Sequence, residues 1–553
     1  MTIRGQQRVD SALIDPAACG SSEVRSVPGK IESLAEWLDA RPRVLLIALM
    51  AVYASVSLTI GFFKPLWHDE LITYDLASMP SVSEMLRGIR LIDLNPPVLY
   101  LLDYVALRVP GAHFNDHLVW LAARLPSILG GLLASAGLFA LMRRRVGALY
   151  AFALVCVYWN TPFFTYVVED RPYALVSGLI VMLICVWDRA VQAGRSLVWV
   201  ALTLALGLAL MGGHFMSGIV LVAFIAATVV SGASRGRLDL LLLISYILPF
   251  SIPVAYFAKI SGYQSIVFPF DFQPTWFGLP VEYALLLGHS VLILGVLLAV
   301  YMVMGLFPHA PALARASESG ASSRALTTTR AELVLLVGIL LQPAMVVVAI
   351  MQIHGAFFLR YGLPGCIPIA ILTTVFIYSL FHGAKYAALI TVLAAAMVPL
   401  FFLGHAVADW RVDMPGSHAG RFEAGDYHTI EPDLPFVAAS GLTYVEMNHR
   451  EPADFLDRVY YLTDTEAAIR YAHATLFEHE DTVRQMFHYP ARVEALQAFA
   501  AKHPRFLVLG TENYPEDWLL RKLMADGEDV RLVGIFKTTY KDKHLYQVTI
   551  RQK

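Results

Sequence analysis

The stretch "VLLIALMAVYASVSLTIGFF" (Val44–Phe63), followed at once by "KPLWHDELITYD" (Lys64–Asp75), decides the class of fold. The first carries no charge, and about 20 apolar residues of helix match a hydrocarbon core of roughly 30 Å. The second sets two adjacent carboxylates, Asp69 and Glu70, a few residues beyond the predicted span. Such a pair has three readings: a solvated cap on the span, an ion site, or the working end of an enzyme.

The rest of the chain repeats the first signal. Of 553 residues, 57% are hydrophobic and 16% charged, with a mean hydropathy of +0.58, whereas soluble domains carry roughly 25% charged residues. The chain is read as a polytopic α-helical membrane protein, with the lipid bilayer as its first partner. A net charge of −2 gives no field for nucleic acid. The four cysteines, Cys19, Cys156, Cys185 and Cys366, avoid the polar C-terminal third, which excludes a disulfide framework there. Residues 1–42 form a polar segment without a signal-peptide core, so Val44–Phe63 is expected to stay in the membrane.

Apolar runs predict about eleven spans, near 44–63, 118–142, 147–167, 172–188, 196–213, 215–231, 239–258, 283–306, 331–351, 363–381 and 386–404. Lys and Arg concentrate in alternate connections: Arg143–Arg144–Arg145, Arg189, Arg195, Arg235, Arg237, Arg330 and Lys385. The positive-inside rule makes that side, with the N-terminal segment, cytoplasmic. The first long loop, 64–117, then faces outside, and so does the region after residue 405. That region, 406–553, reads as an extracytoplasmic α/β domain of roughly 150 residues, enough for its own core. "RVYYLT" (458–463), "RFLVLG" (505–510), "VRLVGIF" (530–536) and "HLYQVTI" (544–550) read as strands. Residues 464–487 and 515–527 read as helices.

Candidate chemistry gathers outside. His68, Asp69, Glu70 and Tyr74 begin the first loop, and Asn95-Pro96-Pro97 interrupts it, since proline removes a donor and fixes φ. Val98–Val109 is too short to span and suits a helix lying in the interface, with Tyr100 and Tyr104 at headgroup level. A half-desolvated carboxylate there can act as a general base toward a hydroxyl. Arg171 in "EDRPYAL" and Arg360-Tyr361 in "FFLRYGLP" stand at span boundaries, where a guanidinium suits a phosphate. The plainer reading is an Arg snorkelling to the interface or pairing with Glu169 or Asp170; for Arg360, with no acidic residue nearby in sequence, the functional reading is favoured, whereas for Arg124 in "ARLPS" the plainer one leads. His214, in a short turn, reads as a structural histidine. No Walker loop, GxGxxG unit, HExxH or paired CxxC occurs.

In order along the chain, the early "DE", the "NPP–apolar–Tyr" segment, "ARLPS", "RPYAL" and "RYGLP" resemble the GT-C membrane glycosyltransferases. The likeness is greatest to the group holding protein O-mannosyltransferases, lipid A aminoarabinose transferases and rhizobial lipopolysaccharide galacturonosyltransferases. It covers residues 44–405, and implies a GT-C transmembrane catalytic part bounded at 43–405. The resemblance implies an enzyme of the bacterial plasma membrane that moves a sugar from a polyprenyl-phosphate donor to an envelope acceptor, with inversion, at the extracytoplasmic face. It implies Asp69 as the base, with Glu70 supporting it or joining it on a divalent metal, whose use the resemblance leaves open. Arg360, Tyr361 and Arg171 are implied contacts of the donor phosphate, and His68, Tyr74, Asn95, Arg124 and His214 line the pocket. Asn95 stands where many relatives carry His, so that position has no titratable ring.

Two other readings remain. A transporter or flippase of lipid-linked sugars should hold ionisable residues at mid-membrane, and a scaffold protein would leave the 69–95 loop without a purpose.

Overall fold

The structure is a computed structural model, and it describes residues 27–93, 95–108, 116–193, 196–260, 274–306, 328–353, 355–396, 404, 427–472, 480–511, 517–536 and 543–551. Cys19, the bulk of the N-terminal segment and the far half of the predicted span 386–404 lie outside these residues.

Helix α1 (Val27–Asp39) precedes α2 (Pro42–Phe63), which has Pro42 at its first position, where no donor is lost. The chain leaves α2 at Lys64-Pro65, and proline bars the helical region to the residue before it. The first loop then folds into α3 (His68–Ala77), α4 (Val82–Ile92) and α5 (Val98–Ala106). Next come α6 (Asp116–Val146), α7 (Ala148–Trp159), α8 (Phe163–Val167), α9 (Pro172–Ala193), α10 (Leu197–Gly213) and α11 (Ser217–Ser234). They are followed by α12 (Leu240–Ile247), α13 (Ser251–Ile260), α14 (Leu279–Leu287), α15 (Ser290–Leu306), α16 (Arg330–Leu340) and α17 (Gln342–Ile353). A 3₁₀ segment (Leu359–Gly365), α18 (Cys366–Leu380) and α19 (Lys385–Ala395) complete the helical half.

Where described, the predicted apolar runs fall largely on helix, but among the described residues only five helices are long and apolar enough to cross a membrane. Two bent pairs raise the number to seven: α14 with α15, bent by 68°, and α16 with α17, bent by 46°. At the first bend Gly288 has φ +53°, and a Cβ there would lie 2.7 Å from the Asn160 carbonyl. Runs 147–167, 196–213, 239–258 and 386–404 correspond to shorter apolar helices.

The centre of the helical half is the packing of α2, α6 and α9. A Cβ on Gly130 would lie 2.6 Å from the Leu175 nitrogen, and one on Gly178 would meet the Gly130 backbone, 2.9 Å from its Cα. Two helices therefore touch backbone to backbone, as small residues allow. Tyr53 of α2 donates to the Ile128 carbonyl at 2.6 Å and fixes the third helix. At the far end, Glu32 and Asp39 of α1 accept from the amides of Tyr386 (3.1 Å) and Leu149 (2.8 Å), which start α19 and α7.

Strands β1 (Phe436–Ala438), β2 (Val459–Thr463), β3 (Arg492–Ala495), β4 (Arg505–Gly510), β5 (Asp529–Phe536) and β6 (Lys543–Thr549) make one sheet of order β3-β2-β1-β4-β6-β5. The first four are parallel, and β6 runs antiparallel to both its neighbours, β4 and β5. All four strands predicted from sequence are present. One sheet face builds a core with Trp518, Leu519 and Phe499. The other shares its core with Leu66, Leu71 and Ala123 of the helical half. The sheet therefore lies against the loop that holds Asp69, and helix α20 (Gly441–Arg450), which follows β1, faces α3.

The first loop is more ordered than the sequence suggested. Leu101, Leu102 and Val105 face outward from α5, as an interface helix requires, but Tyr100 corrects the expectation of a headgroup-level ring. It is 1% exposed and donates to Asp93 at 2.6 Å.

Candidate active site

Asp69 and Glu70 enter the first turn of α3 side by side and face opposite environments, because successive helical residues diverge by about 100°. Both favour the positive end of the helix. Glu70 has 0% exposure. Its Oε2 accepts from Arg124 at 2.6 Å and from the Trp67 amide at 3.2 Å. Its Oε1 accepts from Arg124 Nε at 2.8 Å and from the Asp170 amide at 2.6 Å. Burial alone would raise this carboxyl, and the Arg124 guanidinium reverses that and holds it ionised.

That arrangement corrects two expectations. Glu70 has no lone pair left for a hydroxyl or a metal, so it does not fit as a ligand of a divalent ion. Arg124 is also 0% exposed and does not line a pocket. It donates to the carbonyls of Gly61 (3.1 Å), Pro65 (3.0 Å) and Lys64, and ties the end of α2 to the start of α3. Among the described residues no group of three or more His, Cys, Asp or Glu is placed to hold a metal ion.

Asp69 is 19% exposed at its side chain and lies between two guanidinium groups, Arg360 at 3.3 Å and Arg171 at 3.5 Å. Pro172 starts α9 and leaves Arg171 just outside it, where Ser127 donates to the Arg171 carbonyl at 2.7 Å. The 3₁₀ segment with Pro364 presents Arg360 over the Phe358 ring at 4.2 Å. The Nε atoms of both arginines are buried with no hydrogen-bond partner among the described residues. Burial opposes the charge on Asp69, and Arg171 and then Arg360 overcome it, so its carboxyl sits below the ordinary range. One carboxylate faces two cations, which leaves an excess positive charge and unused donors.

Tyr361 and His214 close one side. Their rings lie 5.4 Å apart, and Tyr173 stands 5.5 Å from His214. His214 is pushed down to about 4 by burial and then by Arg171 and Arg360, so it is neutral at neutral pH. The remaining predicted residues divide. Asn95 donates to Asp93 at 2.7 Å and shapes the loop. Tyr74 corrects the expectation of a pocket residue: it packs on the core shared with the sheet, 6.1 Å from His449. His68 lies between Asp69 (3.7 Å) and Glu446 (3.4 Å).

Several groups were not legible in the sequence. Glu446 is 378 residues from His68. Lys64 approaches Glu169 at 3.6 Å. Asp103 and Asp170 are fully buried, and their two carboxyl groups hydrogen-bond each other. Burial first, and for Asp103 the neighbouring Asp170, raise both carboxyls well above the ordinary range. "VEDRP" flagged Asp170 as an acid near Arg171, but only the fold sets it beside Asp103.

No protein-family profile matches the chain, and no curated protein matches it in sequence. Two solved structures of ArnT from Cupriavidus metallidurans are similar to it. The one bound to undecaprenyl phosphate has 12% identity and a TM-score of 0.48, over 91% of this chain and 97% of that chain. The apo structure has 14% identity and a TM-score of 0.49, with the same coverage.

Proposed function

We propose that this chain is a GT-C type membrane glycosyltransferase with about eleven spans, which moves a sugar from a polyprenyl-phosphate donor to an envelope acceptor. The observation that carries the reading is Asp69 held between Arg171 and Arg360, at 3.5 and 3.3 Å. The donor phosphate takes the two guanidinium groups and their free Nε donors. The acceptor hydroxyl then attacks the anomeric carbon, its proton passes to Asp69, and the bond from that carbon to the phosphate oxygen breaks. Charge developing on the phosphate is met by preorganised cations. As the phosphate draws the arginines away, Asp69 loses the partners that keep it a weak base, so donor binding prepares the base.

Double displacement needs a second carboxylate as nucleophile, and the adjacent Glu70, sealed by Arg124, does not supply one, which supports inversion. An apolar groove of about 390 Å³ between α11 and α16–α17 offers room for a lipid chain. Ile219, in its lining, and Tyr361 pack on the same cluster. Buried charged side chains, among the described residues, lie at span ends, in the loops or in the sheet half, which favours an enzyme over a flippase with a mid-membrane site. The domains we assign are an N-terminal cytoplasmic segment 1–42, a transmembrane catalytic part 43–405 and an extracytoplasmic α/β part 406–553, in a bacterial plasma membrane.

The test is mass spectrometry of envelope glycolipids, polymers and glycoproteins from cells with and without the protein, complemented by Asp69→Asn. A sugar missing from the deletion and unrestored by Asp69→Asn at wild-type abundance supports the reading. Restoration by that variant refutes Asp69 as the base.

A further inference from the structure

We infer that His68 takes the proton onward from Asp69, and that Glu446 of the sheet half orients its ring for that step. The inference deepens the transferase reading and rests on it. The His68 ring lies between two carboxylates from distant parts of the chain, with Nε2 3.7 Å from Asp69 Oδ1 and Nδ1 3.4 Å from Glu446 Oε1. Trp67 braces it edge-on with ring centroids 4.5 Å apart. Glu446 is itself fixed. It sits on α20, whose Arg450 donates to the Leu66 carbonyl at 3.1 Å, and Lys543 nearby donates to Thr443 at 2.8 Å.

Burial works against the charge on Glu446, yet His68, Arg450 and Lys543 bring its carboxyl down to about 2. It is thus a permanent anion that favours the tautomer with the proton on Nδ1 and turns the Nε2 lone pair toward Asp69. The charged groups around His68 are these two carboxylates, with Arg171 and Arg360 beyond Asp69, and Arg450 and Lys543 beyond Glu446.

The step balances without another reactant. When the acceptor oxygen bonds to the anomeric carbon, the leaving phosphate keeps the electron pair of the broken bond and Asp69 holds the hydroxyl proton. Asp69 must shed that proton before the next turnover. His68 Nε2 accepts it, the imidazolium forms between two carboxylates, and the ring, 22% exposed at its side chain, returns it to water. One proton is released per sugar transferred. The sheet half therefore completes the site through one hydrogen bond.

The test uses full-length variants in cells lacking the protein, with the rate of appearance of the sugar-bearing envelope product followed by mass spectrometry and normalised to protein abundance. His68→Gln keeps polar atoms but cannot carry a proton, and Glu446→Ala removes the orienting anion. Each should slow the rate about tenfold or more, and the double variant should be no slower than His68→Gln alone. A second arm reads ¹⁵N-histidine spectra of the full chain in nanodiscs containing undecaprenyl phosphate, with the His68 signal assigned by its loss in His68→Gln. The Nδ1-protonated tautomer is expected in wild type and should be lost in Glu446→Ala.

A wild-type rate for His68→Gln, with Asp69→Asn inactive, overturns the relay and leaves the transferase standing. Additive losses, or a His68 tautomer unchanged in Glu446→Ala, reduce the contact to a strut between the two halves and overturn it as well. Activity of Asp69→Asn removes both readings.

Discussion

Glu70→Gln separates the two adjacent carboxylates most cleanly. The substitution keeps shape and volume but removes the charge that Arg124 meets at 2.6 Å, where both side chains are fully buried. Breaking a buried ion pair by losing one partner costs about 3–5 kcal/mol, because the other charge stays desolvated. Geometry adds a second conflict. Each Glu70 oxygen accepts two donors, one from Arg124 and one from the backbone, of Asp170 or Trp67. Whichever way the Gln amide turns, its NH₂ faces two donors, and an unsatisfied buried donor costs about 1–3 kcal/mol. The two estimates overlap, so about 3–5 kcal/mol is the expected loss. Asp69→Asn should cost less, since its side chain is partly exposed and its ion pairs, at 3.3 and 3.5 Å, are longer than that of Glu70 at 2.6 Å. The assay is thermal unfolding of both purified variants in one detergent, with the folded yield from membranes. Glu70→Gln should melt far below wild type and Asp69→Asn close to it. Adding Arg124→Met to Glu70→Gln should recover part of the loss by removing the stranded charge. Equal melting of Glu70→Gln and Asp69→Asn would refute the assignment of Glu70 as the buried tie.

Arg360→Ala should weaken undecaprenyl phosphate binding by about 10- to 100-fold, from one charged contact of about 1.5–3 kcal/mol; lipid titration of the purified variant checks this. Gly178→Val should prevent close packing of α6 and α9, since even a Cβ meets the Gly130 backbone; the measure is the fraction of folded protein, expected to fall steeply. Asp103→Asn tests the buried acid pair. Both carboxyls are raised above their unfolded values, so the pair favours the fold below the unfolded range near pH 4 and loses that contribution as pH rises through the folded values. Melting curves across pH should show the variant gaining on wild type toward alkaline pH, and parallel curves would count against it.

Membrane residence, the helical runs, the sheet half and the cluster of acids and arginines at one side were readable along the chain. Each rests on local composition or period: uncharged apolar runs, basic connections, alternating strands, prolines at helix starts. The placement of Asp69 beyond the first span followed from the same patterns. What the sequence left open was which carboxylate does what, because adjacent residues share a composition and differ only in the direction they face. The fold turns Glu70 inward onto Arg124 and Asp69 outward between Arg171 and Arg360, residues 102 and 291 positions further on. It also joins Glu446 to His68 and Asp103 to Asp170. Such contacts are set by how helices and sheet pack in three dimensions, and no periodicity in a linear chain encodes them.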